Sequence, residues 1–169
     1  MEKKLKSDGE KVKGIIADAG GQIVGRTKLQ KIAYLLEIAG EGDNFHFEYH
    51  HYGPYSEDLT RAASIATMMG DIDEQPKVAN WGGSYSIYKT STSSQENGIR
   101  QCLARTAAEA NAVVLELAAT ATFFAVNGKS DPWKETEARK PDKAADGRLD
   151  EAKVFYGALR AISDKLPAI

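Results

Sequence analysis

Three histidines and a glutamate lie within six residues: His46, Glu48, His50 and His51. On an extended strand, His46, Glu48 and His50 share one face at steps of ~7 Å. Imidazole and carboxylate are the donor types that hold zinc or manganese, and a bent strand would bring three of them together. The plain alternative is a solvated strand face, and it is the favoured one. A second set is basic: Lys11, Lys13, Arg26, Lys28 and Lys31. Arg26, Lys28 and Lys31 are the candidates for touching a nucleic-acid backbone, because cationic side chains at helical spacing neutralise phosphates. Here too a solvated helix face is the plainer reading. A third set is aromatic: Phe45, Phe47, Tyr49, Tyr52, Tyr55, Trp81, Tyr85 and Tyr88 fall within residues 45–88. One small sheet face does not hide that many rings. Some are expected to stay exposed as protein-contact anchors, with Tyr34, Tyr52, Tyr55 and Trp81 the chosen positions.

Other motifs do not assemble a catalytic set. Asn127-Gly128-Lys129-Ser130 mimics the end of a P-loop, but Phe123 stands where its first glycine belongs, and the segment follows a helix. Ser84 lacks the G-x-S-x-G frame of a nucleophile elbow. Cys102 lies on an apolar helical stripe and is expected in the core. No catalytic residue, resident metal or cofactor is expected. A metal-dependent enzyme at His46 and His50 stays as an outside alternative.

The elements that must position these groups can be read from periodicity. Val12, Ile15, Ile16 and Ala19 recur at helical spacing after Ser7 or Asp8, and Gly20-Gly21 stops the run. Thr27 and Gln30 form a capping-box pattern opening a second helix, with Leu29, Ile32, Ala33 and Leu36 inward and Gly40 at its end. Phe45 to His50 alternates with period two, and Gly53-Pro54 is expected to break that strand. Ser56 caps a third helix with Glu57 and Asp58 in its first turn and Leu59, Ala62, Ala63, Ala66 and Met69 inward. A hairpin follows over 77–89, turning at Gly82-Gly83. The remainder reads as helical. Ile99, Cys102 and Leu103 mark one segment, and an alanine-rich one runs from about Ala107 to Val126. A short helix starts at Asp131-Pro132, residues 140–147 form a loop, and a final helix carries Leu149, Ala152, Phe155, Tyr156, Leu159 and Ile162 inward.

This order predicts an α+β, mainly helical chain. Residues 1–92 form a winged-helix-like core of three helices plus a small antiparallel sheet or hairpin, and residues 93–169 a C-terminal helical bundle packed on it. The chain has 169 residues, 42% hydrophobic and 27% charged, with a mean hydropathy of −0.42. That is a globular composition. One cysteine excludes an internal disulfide. The start, MEKKLKSDGEKVKG, has no apolar run of the signal-peptide kind, so a cytoplasmic location without membrane contact is expected. Residues 32–80 hold two basic and nine acidic groups, against a total net charge of −2. Small residues in the Ala-rich helix suit close helix approach, so a homodimer through it is a further expectation.

The run Gly25 to Tyr34 with its Lys28-Leu29-Gln30-Lys31, then Phe45 to Tyr49, then Tyr52-Gly53-Pro54-Tyr55-Ser56-Glu57-Asp58-Leu59, resembles the YwgA-like family of uncharacterised bacterial and archaeal proteins. The Leu115 to Thr120 segment and Lys140-Pro141 fit the same pattern. More distantly the chain is similar to the Panacea-domain (SocA-like) antitoxins, which share a K-L-Q-K helix followed by a G-P turn. That resemblance implies neutralisation of a toxin by protein contact, or an adaptor delivering its toxin to a protease. The strand before Gly53-Pro54 and the long helical tail depart from the antitoxins. The reading is a non-catalytic interaction or regulatory module, with a winged-helix DNA-binding regulator as the alternative. Glu57 and Asp58 at the leading end of the third helix would repel phosphate and favour the former.

Overall fold

The computed structural model describes residues 7–169, which form eight helices and two small antiparallel sheets. Helix α1 (Asp8–Asp18) opens on a capping box. The Glu10 amide donates to Ser7 Oγ, and the Ser7 amide donates back to the Glu10 carboxylate. Strand β1 (Gln22–Val24) follows the paired glycines, and α2 (Arg26–Ile38) follows Gly25.

Helix α2 does not start as the Thr27/Gln30 pattern predicts. Gly25, at φ 102°, is the cap residue and no side chain caps the first turn. Gln30 is turned into the interior instead. Because α2 is covered on nearly every side, Lys31, Tyr34 and Leu35 are buried along with the expected Leu29, Ile32, Ala33 and Leu36.

The alternating segment keeps its predicted faces, with Phe45 buried and His46, Glu48 and His50 exposed. Only Glu48–His50 pairs as strand β2, and its partner β3 is Gly53–Tyr55 itself. Gly53-Pro54 is therefore not a strand breaker. It is the return arm of a hairpin that turns at His51-Tyr52, with His50 opposite Gly53. Gly53 holds φ +90°, and a Cβ there would come within 2.6 Å of Thr120 Oγ1. The glycine lets this hairpin lie flat against the next layer.

Helix α3 (Glu57–Met68) is capped by Ser56, whose hydroxyl accepts from the Leu59 amide at 3.2 Å. Leu59, Ala62, Ala63 and Ala66 are buried as expected, but Met69 lies beyond the last turn and is exposed. Strands β4 (Asp73–Val78) and β5 (Ser84–Lys89) form the predicted hairpin, begun four residues earlier, with Ala79 and Asn80 in its loop. β1 adds to the other edge of β5, so the order is β1-β5-β4 with Ile23 opposite Tyr88 and Glu74 opposite Tyr88. Pro76 is tolerated because β4 is an edge strand.

The two expected helical segments are present, but the break between them falls at Ala110-Asn111 instead of near Ala107. α4 (Ile99–Glu109) ends before Asn111, whose side chain accepts from the amides of Val113 and Val114 to open α5 (Ala112–Val126). α5 is the central post of the molecule, packed on α2 and on α6 (Pro132–Arg139) and α8 (Arg148–Ile162). Ala118, Ala119 and Ala121 are fully buried in those contacts, so the small residues that suggested a homodimer are already used within one chain. Where a loop was expected, Pro141–Ala144 forms one helical turn, α7. Arg100 ties the two halves together. Its guanidinium donates to Asp18, Asp43 and the Glu41 carbonyl at 2.6–3.1 Å. No helix of the described residues is long and apolar enough to cross a membrane.

The tight seat of Gly53 predicts that Gly53→Ala costs roughly 3 kcal/mol, combining left-handed strain with overpacking. Gly70→Ala, at φ +78° with open space around it, should cost about 1 kcal/mol from backbone strain alone. Urea unfolding of the two variants checks the difference; equal losses would mean that Thr120 does not abut the hairpin.

Candidate functional site

Two side chains of α2 grip the junction between β3 and α3. Gln30 pairs with both backbone groups of Ser56: its Oε1 accepts from the Ser56 amide at 2.8 Å, and its Nε2 donates to the Ser56 carbonyl at 2.9 Å. Nε2 also reaches Thr60 Oγ1 at 3.0 Å. A side-chain amide carries one donor group and one acceptor, as a strand residue does, so Gln30 completes a buried backbone that no strand covers. Lys31 Nζ donates to the Pro54 carbonyl at 2.6 Å. Its residue is 1% exposed. Removal from water pulls its pKa down to about 7; Glu116 opposes that, while Lys140 and Lys143 add to it.

The grip leaves a hollow of about 370 Å³ between α2, α3, the β2–β3 hairpin and the sheet, lined by Arg26, Thr27, Tyr52, Tyr55, Glu74 and Tyr88 among others. That volume is within the range of small-ligand sites. At one side Arg26 Nη2 meets Glu74 Oε1 at 3.1 Å, and Ser86 Oγ donates to the same oxygen at 2.8 Å. Burial, reinforced by Glu74, pushes the Tyr88 hydroxyl up to about 12. Tyr55 and Thr60 share a hydrogen bond of 2.7 Å, and Ser64 Oγ donates to the Thr60 carbonyl. These hydroxyls are occupied with their own helix and each other. The arrangement can receive an apolar body with a polar end. A second hollow, of about 570 Å³, adjoins it and is walled by Val24, Trp81 and Tyr85. Arg26 and Thr27 belong to both.

Of the four residues expected at a partner surface, three border these hollows. Trp81 is 80% exposed at the hairpin tip, Tyr52 is 53% exposed, and Tyr55 is half-buried in the wall. Tyr34 is the exception. It is 3% exposed, with its ring edge-on to Phe47 at 5.2 Å, so it belongs to the core.

The basic candidates are placed differently from expectation. Lys28 Nζ donates to the carbonyls of Ala108 and Ala110, at 2.9 and 2.8 Å, where the end of α4 leaves acceptors without amide partners. Lys31 has no surface to offer a phosphate. Only Arg26 keeps an exposed side chain, and it is paired with Glu74. His46, Glu48 and His50 do stand on one exposed face, with the Glu48 carboxylate 3.4 Å from His46 Nε2 and 3.9 Å from His50 Nε2. Among the described residues, no group of three or more His, Cys, Asp or Glu is placed to hold a metal ion. Cys102 is half-buried, not in the core, with Sγ 3.7 Å from the Asn97 carbonyl.

Reading the sequence missed Gln30 as a clamp and Glu116 and Lys140 as buried charges. The signal for Glu116 was present: one carboxylate inside the apolar run of α5 must find a cation.

A lysine held near 7 in the folded chain, against the ordinary 10.5 when unfolded, makes stability rise with pH between those values, since the unfolded chain then binds the extra proton. Below pH 7 both states are protonated and the slope vanishes. Lys31→Met removes this contribution while keeping most of the apolar stem. The stability of the parent protein relative to K31M should therefore climb from pH 7 to pH 9, by up to about 1.4 kcal/mol per pH unit. Chemical denaturation across that range measures it, and a flat difference would mean that Lys31 titrates as an exposed lysine does.

An 81-residue stretch of the chain is 33% identical to the uncharacterised protein YwgA of Bacillus subtilis (strain 168). The match covers 48% of this chain and 46% of that protein, so the chain aligns with about half the length of its curated relative. No family model matches the chain, and no solved structure does.

Proposed function

We propose that this chain is a non-catalytic protein-interaction or regulatory module that docks a partner along one groove. The groove runs from Tyr52 and Tyr55 through Arg26 and Thr27 to Trp81 and Tyr85. The observation that carries this reading is the junction of the two hollows at Arg26 and Thr27, which makes three separately chosen aromatic residues borders of one surface. An exposed tryptophan beside a recess is the usual form of an interface anchor. A winged-helix-like front half is part of the proposal. Its support is the order of helix, strand, helix, helix and hairpin, with β1 added beside β5. The similarity to antitoxins read from the K-L-Q-K and G-P motifs makes a toxin, or a protease served by an adaptor, the partner class that follows from that resemblance.

The DNA-binding alternative has less support. Lys28 and Lys31 are engaged inside the fold. The outward side of α3, which would enter a groove, carries Glu57 and Asp58 at its start, and beyond them Ile65, Met68 and Met69, which are 47%, 83% and 72% exposed. Carboxylates and thioethers suit a protein surface better than a phosphate backbone.

The tagged full chain, used to capture proteins from a lysate of its native host, should retain a partner. Trp81→Ala and Tyr52→Ala should each weaken that retention by about tenfold or more. Val154→Ala, an exposed site on α8, should leave it unchanged. Retention indifferent to both groove variants would overturn the reading, as would tight binding of labelled duplex DNA at about 50 mM salt.

A further inference from the structure

Among the described residues, one buried carboxylate has two lysines against it, one buried and one half-buried. Glu116 projects from α5 with a side chain only 3% exposed, and its Oε2 lies 2.6 Å from Lys143 Nζ and 3.8 Å from Lys140 Nζ. The Lys140 side chain is itself 5% exposed and donates to the His51 carbonyl at 3.0 Å. Lys31 is buried nearby and interacts with the same carboxylate and the same two lysines. Two ammonium groups thus lie within 4 Å of one buried carboxylate, Lys140 buried and Lys143 about a third exposed, and Lys31 acts on them from its own site at the Pro54 carbonyl. Desolvation lowers the pKa of Lys31 and of Lys140, and Lys143 lowers both further. Buried charges are normally paired one for one, because an uncompensated ion is costly in a low-dielectric interior.

Lys140 and Lys143 also border an open recess. Between the β2–β3 hairpin and the junction of α6 with α7 lies an open hollow of about 580 Å³, whose lining includes His50, His51, Arg139, Lys140, Asp142 and Lys143. Arg139 uses Nε on Glu135 at 3.1 Å, and its two terminal nitrogens make no hydrogen bond among the described residues. The guanidinium lies over the Phe124 ring at 5.8 Å, and those two terminal nitrogens suit a tetrahedral oxyanion, which accepts from both at once. We propose that this hollow binds the phosphate-type oxyanion of a small molecule, held by Arg139, Lys140 and Lys143 with the His50 and His51 imidazoles beside them.

The charge count selects the ligand class. The lining itself holds three cations, Arg139, Lys140 and Lys143, against one carboxylate, Asp142, which a doubly charged phosphate group complements better than a singly charged carboxylate does. The hollow falls within the ~300–1,000 Å³ span of small-ligand sites, so the oxyanion is one end of a larger molecule. A nucleic-acid backbone fits less well. Asp142 stands exposed on the lining, and the chain as a whole is net negative.

Calorimetric titration of the full chain with inorganic pyrophosphate, without divalent metal and at constant ionic strength, tests this. One saturable site is expected, with acetate at least about tenfold weaker. Arg139→Gln should weaken pyrophosphate by about tenfold or more, and Lys143→Arg should retain it where Lys143→Gln does not. Lys134→Gln, exposed on the same helix as Arg139, should change nothing. Arg139 is half-exposed, so its variant should fold, which circular dichroism verifies. The proposal falls if no saturable pyrophosphate binding occurs, if acetate binds equally well, or if R139Q and K143Q bind as the parent does. It falls also if duplex DNA binds and is displaced by pyrophosphate, since the site would then serve a polymer backbone.

Discussion

A glutamine side chain doing the work of a strand holds this molecule together at its functional end. Ser56 ends a three-residue strand and begins a helix, so neither its amide nor its carbonyl has a sheet neighbour, yet it is fully buried. Gln30 accepts from the amide and gives the carbonyl a further donor beside the Thr60 amide of α3, and Lys31 satisfies the Pro54 carbonyl two residues earlier. With α2 anchored to both, α3 has a fixed starting point and the β2–β3 hairpin a fixed plane. The walls of the first hollow follow from those two positions. This accounts physically for the pairing of K-L-Q-K with G-P-Y-S in one sequence. The two motifs are halves of a clamp, since the amide of one answers the backbone of the other.

That clamp also marks the limit of reading the chain locally. The helical periodicity around Val12, Leu59 and Leu149 placed those helices and, Met69 apart, their inner faces, because burial of an amphipathic face repeats every turn. Alternation at Phe45–His50 gave the faces of each side chain, though not where hydrogen bonding begins. Gln30 misled because its spacing from Thr27 matches a capping box, while its real partners lie twenty-six and thirty residues on. Lys31 misled for a related reason. A lysine on a helix is read as solvated unless something covers that face, and here α5 and the hairpin do so from far along the chain. Asn111 was a visible N-cap inside an alanine-rich run whose uniform helix propensity concealed it. Of the site, the exposed rings at Tyr52 and Trp81 were legible, while the burial of Tyr34 depended on tertiary packing.

Two ionic centres join the C-terminal helices to the rest, and they differ in balance. At Arg100, one guanidinium meets two carboxylates and a carbonyl, and its pKa is raised despite burial. There the carboxylates are in excess and the cation is held firmly charged. At Glu116, one carboxylate faces Lys140 and Lys143 with Lys31 beyond them, and burial pulls Lys31 and Lys140 toward neutrality. The Arg100 centre is 11–16% exposed throughout, while at Glu116 exposure runs from 3% at the carboxylate to 35% at Lys143. The sign of the excess charge also differs, carboxylate at the first and ammonium at the second. A structural tie needs the first pattern, whereas the second leaves electrostatic capacity for something not supplied by the chain.

The hairpin turn at His51-Tyr52 lies where these two parts of the molecule meet. His51 lines the basic hollow, and Tyr52 lines the hollow beside Arg26. Lys140 holds the carbonyl of the first residue, and Lys143 stands over the ring of the second at 4.7 Å. Both lysines therefore face the Glu116 carboxylate and the turn at once, and neither can follow a new anion without loosening its hold on one of them. Because the turn is only two residues long and Gly53 is wedged against Thr120, it has little freedom to absorb such a change by itself. Lys143 thus touches the basic hollow and the ring of Tyr52, which walls the neighbouring one.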